Sequence, residues 1–283
     1  MTAALPFHYT EFAPSAAVNN VALTYWGFTV RVLPHDGFMH RVWPDGCVSL
    51  VFIRAVVEGN GRIVDARIAG PRVAPLDIPM FAGACYWGVR FRPEAGAAWL
   101  GMSATTLRDA NLTIDAHMSG LEELRARLAP FGTTDDADAT MQVARIFDAW
   151  ITSRIRVPPS NAMRIDTGVR DAVAAIVATN GLVPIAQIAE LTQMTMRSLQ
   201  RRFRDATGLT PKEFANVRRG RALVKRVVDG EADASEGGWS GLAQVAGYAD
   251  QSHLVRELGR LTQFTPTALR HRLLTIDHGR IID

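Results

Sequence analysis

The sequence predicts an α+β protein of two domains, with strands and then helices over residues 1–157 and an all-α region over 158–283. Three observations predict it. Short β-prone runs bounded by turn residues are confined to about the first 92 positions, and helical apolar periodicity takes over beyond them. Pro158-Pro159, followed by Ser160-Asn161, forms an extended, non-helical break between the two regions. The C-terminal part also contains the same helix–turn–helix pattern twice. A chain of 283 residues is long enough for two such domains.

Taken in order, Pro44-Asp45-Gly46 is a turn signal, and the apolar run Val48 to Ile53 after it reads as a strand. Arg62 to Ile68 and Tyr86 to Arg92 are further strands, the second stopped by Pro93. Leu121, Leu124 and Leu128 share a helix face, as do Val143, Ile146, Phe147 and Trp150. After the proline break, Asp166 is placed to cap a helix carrying Val169, Val173, Ile176 and Val177, and Asn180-Gly181 to stop it. Ile185, Ile188 and Ala189 form the next apolar face.

The repeat follows. Leu199, Arg201, Phe203, Thr207, Thr210 and Pro211 recur as Leu254, Arg256, Leu258, Thr262, Thr265 and Pro266, each pair 55 residues apart. In both copies spacing and residue type agree together, which points to a duplicated unit. The first copy has a short helix to Leu191, then Thr195 as cap of a second helix that buries Leu199 and Phe203. The second has Leu242, Val245 and Ala246 on its short helix, Gly247 opening the turn, and Asp250 capping the helix of Leu254 and Leu258. Thr210-Pro211-Lys212-Glu213 combines Thr at the N-cap, Pro at the first helical position and Glu three residues after the cap.

Charge is distributed unevenly. Residues 1–160 hold 14 Lys/Arg against 15 Asp/Glu, and residues 161–283 hold 17 against 13. Between 197 and 226 ten basic residues face only Asp205 and Glu213, a cluster suited either to a polyanion or to a solvated helix face. With Leu199 and Phe203 inward, Arg197, Gln200, Arg201 and Arg204 lie on the other faces of their helix. Arg fits guanine bidentately and Gln fits adenine, while Arg204 and Arg202 suit phosphate or solvent. The second helix offers Gln251, Ser252, His253 and Arg256.

These motifs resemble the AraC/XylS-type transcription regulators. The resemblance rests on Ile185 to Leu191, Leu199-Gln-Arg-Arg-Phe203, Gly208-Leu-Thr-Pro211, Arg218-Arg219 and Ala222-Leu223. In the second copy it rests on Ala243 to Arg256, Thr265-Pro266 and Arg270, and overall it covers about 164–273. It implies two helix-turn-helix subdomains joined by a long helix over about 212–228, with recognition helices in successive major grooves of double-stranded DNA. By position, Arg197, Gln200, Arg201, Gln251, Ser252, His253 and Arg256 would contact DNA, with RNA polymerase a candidate partner. Leu258 replaces the family's usual Phe, Gln263-Phe264 replaces the usual Thr-Gly, and Gly230 to Trp239 is a long connection.

Tyr25-Trp26, Pro44 to Cys47, Leu50-Val-Phe52 and Gly88 to Pro93 resemble an uncharacterised domain often fused to such modules, with Glu94 where it usually has Gly. That resemblance implies a cupin-like β-barrel followed by helices, which senses a small molecule or forms a homodimer. Arg90 and Trp87 are the candidate ligand-binding residues. A structural ion pair for Arg90 and a core place for Trp87 are the competing readings.

The chemistry of an enzyme fused to a DNA-binding module is the alternative function. Its signs are missing from the sequence. His8, His35, His40 and His117 lack the close spacing of a strand-borne metal site, and there is no phosphate loop, nucleophile elbow or Cys-x-x-Cys. Cys47 and Cys85 are too few for a disulfide framework, and Cys47 reads as a small buried residue rather than a reactive thiol. No catalytic residue, metal or cofactor is expected. No segment approaches a membrane span and the N-terminal residues do not form a signal peptide, so a cytoplasmic protein is expected.

Overall fold

The computed structural model describes residues 5–33, 35–114, 120–132, 137–156, 165–229, 238–266, 268–269 and 276–278. The predicted break at Pro158-Pro159 lies outside the described residues.

The N-terminal part is built on a sheet of seven strands in the order β8-β5-β4-β7-β2-β1-β9. These are β1 (Phe7–Phe12), β2 (Ala22–Val30), β4 (Ser49–Val57), β5 (Asn60–Ala69), β7 (Cys85–Phe91), β8 (Asn111–Thr113) and β9 (Ile276–His278). A separate antiparallel pair, β3 (Met39–Val42) and β6 (Leu76–Pro79), lies apart from it. Residues alternate between the two faces of a strand, and both faces here are buried. Tyr25, Leu50, Phe52, Trp87, Val89 and Phe91 point one way, into a core completed by α3 (Leu121–Leu128) and α4 (Ala137–Arg156). Phe7, Phe28, Val30, Val51, Ile53 and Tyr86 point the other way, toward Phe38, Ile78 and Met80 around the β3–β6 pair. His40 of β3 sits 4.8 Å from the Phe28 ring, and the Tyr86 hydroxyl donates to the Pro79 carbonyl at 3.1 Å.

The expected barrel is therefore corrected to an open sheet. Closure would pair the two edge strands, β8 and β9, which stand at opposite ends of the strand order. Closure is also unnecessary, because helices cover one face and the β3–β6 pair covers the other, so no apolar face is left for a barrel interior to hide. The three predicted strands appear as β4, β5 and the β7 segment. Two short helices that the periodicity did not reveal, α1 (Gly96–Leu100) and α2 (Ala104–Leu107), follow β7.

The C-terminal part is helical: α5 (Thr167–Ala178), α6 (Ile185–Leu191), α7 (Met196–Thr207), α8 (Pro211–Val228), α9 (Gly238–Val245) and α10 (Gln251–Thr262). Its helix starts are fixed by side chains. Asp166 accepts from the Val169 N–H at 3.1 Å, Thr195 from Ser198 at 3.2 Å and Asp250 from His253 at 2.7 Å. Thr210 and Glu213 form the reciprocal capping box that starts α8. Asn180 and Gly181 both take positive φ and end α5. One small core holds Leu199, Phe203 and Phe214 with α5 and α6. A second holds Leu254, Leu258 and Leu261 with Leu223 and Val227 of α8. The connecting helix thus contributes to both helix-turn-helix cores.

The two parts are in direct contact. Arg108, just after α2, forms a two-pronged ion pair with Glu213 at 2.7 and 3.0 Å. Gly208, in the left-handed conformation at the end of α7, lies so close to the Ala104 carbonyl that a Cβ there would stand 2.5 Å from its oxygen. Gly46 meets the Phe214 ring in the same way, at 2.6 Å. Trp43 packs against the second helix-turn-helix core, and the Arg41 guanidinium stands 5.3 Å from the Phe264 ring centroid. Finally, Ile276–His278 adds a parallel strand to Phe7–Tyr9, bringing chain from beyond α10 back to the first strand.

Candidate nucleic-acid interface

The first helix-turn-helix unit is α6, a turn through Gln193 and Thr195, and α7. Leu199, Phe203 and Thr207 are buried along one side of α7, which leaves Arg197, Gln200, Arg201 and Arg204 exposed on the others. None of these three arginines forms an ion pair among the described residues. Arg202 differs. Its guanidinium clasps Asp166 at 2.6 and 2.7 Å and so ties α7 to the cap of α5. The Arg202 hydrogen bonds hold the Asp166 carboxyl below its ordinary range, with the Val169 N–H adding to the effect.

The second unit is α9, a turn opened by Gly247 at φ 71°, and α10. Leu254, Leu258 and Leu261 are buried, while Gln251, Ser252 and Arg256 are exposed and His253 is partly covered. The His253 ring stands edge-on to Tyr248 at 5.3 Å, and the Ser240 hydroxyl donates to the Gln251 side-chain oxygen at 3.4 Å. The structure thus places all eight sequence-nominated residues on two matched helices, seven of them exposed. The one-residue-longer second turn is accommodated by Gly247.

The basic cluster between 197 and 226 divides into separate groups. Arg197, Arg201 and Arg204 face outward on α7. Arg218 and Arg221 lie on the side of α8 near Asp45, Cys47 and Arg90 of the N-terminal part, where burial holds the half-buried Arg218 below its ordinary range and the Arg221 charge lowers it further. Arg219 reaches the second unit: its guanidinium stands 5.7 Å from the Tyr248 ring centroid and donates to the Gly247 carbonyl at 3.4 Å.

Between α8 and α10 lies a cleft of about 260 Å³ lined by Lys212, Asn216, Arg219, Tyr248, His253 and Glu257. Its only trace in the sequence is the spacing that puts Lys212, Asn216 and Arg219 on one helix face.

In the N-terminal part the two candidate ligand residues fall on opposite faces of β7. Trp87 is fully buried on the helix side, and its indole N–H donates to the Phe131 carbonyl at 3.2 Å. Arg90 faces the other way and pairs with Glu11 at 2.9 Å and Asp45 at 2.7 Å. Cys47 is a free, buried cysteine whose thiol is pushed upward by burial and by Asp45, the opposite of what a reactive thiolate requires. Among the described residues no three His, Cys, Asp or Glu side chains are grouped to hold a metal, and no helix is long and apolar enough to cross a membrane.

Two small helix-turn-helix cores on one connecting helix, each with a polar recognition surface, define a DNA-binding transcription regulator. Residues 188–272 match the family model described as a helix-turn-helix domain, and this C-terminal domain is of the AraC type. Residues 10–113 match a domain of unknown function, DUF6597. No curated protein matches the chain. Among solved structures, the chain is similar to ToxT from Vibrio cholerae. A lysine-to-alanine variant of apo ToxT from strain SCE256 is 9% identical, with 95% of this chain and 96% of that chain covered at a TM-score of 0.46. The unsaturated fatty acid bound wild-type ToxT from the same strain is 9% identical over 92% of each chain at 0.44. ToxT from strain O395 is 10% identical over 95% and 96% at 0.41.

Proposed function

We propose that α7 and α10 enter successive major grooves on one face of the duplex and read an asymmetric DNA site. Arg197, Gln200 and Arg201 contact one half of the site; Gln251, Ser252, His253 and Arg256 contact the other; Arg204 binds phosphate. The observation that carries this reading is the matched exposure of Arg201 and Arg256, 55 residues apart, each on the opposite side of its helix from a buried apolar pair. An exposed Arg at that place, with no carboxylate partner among the described residues, is suited to the O6 and N7 of guanine.

The N-terminal domain, assigned to 1–157, regulates this activity by sensing a small molecule or by dimerising, and the DNA-binding domain spans 158–283. Support for the regulatory role comes from the contacts of α2, Arg108 and the 41–46 segment with the two helix-turn-helix units. An anionic effector at Arg90 would have to displace Glu11 or Asp45.

Selection of bound sequences from a random DNA pool tests the reading. Replacing Arg201 or Arg256 by Ala should cost about 1–3 kcal/mol and relax preference in one half of the site only. An unchanged selected sequence for both variants refutes the base-reading assignment.

A further inference from the structure

Apart from His253, the cleft between α8 and α10 is lined by groups to which no base contact is assigned above. Lys212, Asn216 and Arg219 occupy one stripe of the connecting helix at spacings of four and three. Across from them stand Tyr248, from the turn, and His253 and Glu257, from the first turns of α10. Lys212 is exposed and has no carboxylate partner among the described residues. Arg219 is immobilised by the Tyr248 ring and the Gly247 carbonyl, and its Nε is buried without a hydrogen-bond partner among the described residues. The single acid, Glu257, is engaged by Arg260 at 3.0 Å. The His253 backbone N–H serves the Asp250 cap, so the cleft offers side-chain donors rather than a free helix terminus.

The position of the cleft says what those donors meet. It borders the same helical turn that carries Ser252 and Arg256, and its other wall is the helix that joins the two recognition units. The reading proposed above puts α7 and α10 in successive major grooves, so sugar–phosphate backbone runs between the two units that α8 joins. We propose that this cleft seats a DNA backbone phosphate, with Lys212 supplying the charge, the Asn216 amide a hydrogen-bond donor, and Arg219 the fixed wall. This rests on the DNA-binding reading above and adds a clamp that fixes the spacing of the two units without reading sequence, since phosphate contacts position but do not specify.

The test is a salt titration of the full-length protein on its selected site and on random duplex, for wild type, Lys212→Ala and Lys212→Arg. Lys212→Ala should weaken binding to both DNAs by about five- to tenfold and reduce the slope of log K against log salt by about one. Lys212→Arg should restore both, and the selected sequence should not change. Unaltered affinity and slope in Lys212→Ala overturn the clamp. A change confined to the selected site also overturns it, because it would mean base reading. Inorganic phosphate, followed by thermal unfolding, separates a free-anion site: stabilisation of wild type but not Lys212→Ala, with the DNA slope unchanged, would overturn the backbone assignment. If wild type binds no DNA, the proposed function falls and the clamp with it. If wild type binds and Arg201→Ala relaxes sequence preference while Lys212→Ala is silent, only the clamp falls.

Discussion

Replacing Arg108 by Ala removes the ion pair that joins the N-terminal part to the start of α8. Glu213 is held down to about 2 from an ordinary 4.5, first by the Arg108 hydrogen bonds and then by the Thr210 N–H and hydroxyl. A shift of that size corresponds to about 3 kcal/mol if none of it were screened. Arg108 and Glu213 are 27% and 32% exposed, and the Thr210 contacts belong to the capping box, so the share of Arg108 is about 1–2 kcal/mol. Urea unfolding of wild type, Arg108→Ala, Glu213→Gln and the double variant at pH 7 isolates that share as a coupling energy. The pH dependence has a definite sign. A carboxylate whose folded value is depressed contributes stability that is complete above its unfolded value, near 4.5, and is lost as pH falls toward 2. The gap between wild type and Arg108→Ala should therefore shrink across that window. A coupling below about 0.3 kcal/mol, or a gap that persists at pH 2, refutes the Arg108–Glu213 account and leaves the Arg stem packing and its contacts with Asp109 and the Gly208 carbonyl.

Gly88 faces Trp26 across the β2–β7 pairing, and a Cβ there would stand 2.1 Å from the indole ring. Gly88→Ala should therefore destabilise the protein by about 1–3 kcal/mol, read as a lower urea midpoint with loss of near-ultraviolet tryptophan ellipticity. Gln263 ends α10 at φ 57°, where Gly208 ends α7, so Gln263→Gly should raise the melting temperature through a gain of about 0.5–1 kcal/mol. A fragment of residues 161–283 should fold cooperatively and bind the selected DNA; circular dichroism showing an unfolded fragment beside a stable full-length protein would contradict the domain assignment.

The C-terminal half was readable because its signals are local. Asp166, Thr195, Thr210 and Asp250 each lie within three residues of the N–H they accept, and Leu199 with Phe203 needs only one turn of helix. The N-terminal sheet was readable only in part. β2 is buried on both faces, so its run of apolar residues shows little alternation, and β3, β6, β8 and β9 are three or four residues long. Gly46 was legible as a turn but not as the place where the Phe214 ring approaches. Arg108 and Glu213 lie 105 positions apart, and the capping box already gave Glu213 a sufficient local reason to be there. The cleft at Lys212 depends on how α8 meets α10, a packing fact with only a faint trace in the spacing.

The pairing of Phe7 with Ile276 orders events during synthesis. At 5–20 residues per second, roughly a quarter of a minute to a minute separates the emergence of β1 from that of its outer neighbour. For that interval the nascent sheet exposes an unpaired edge, the kind of template that recruits other strands. The α5–α10 helices are made within the same interval, and the edge closes only after them. The outer edge of the sheet is therefore completed only after the DNA-binding helices have been made, although the two regions occupy separate stretches of the chain.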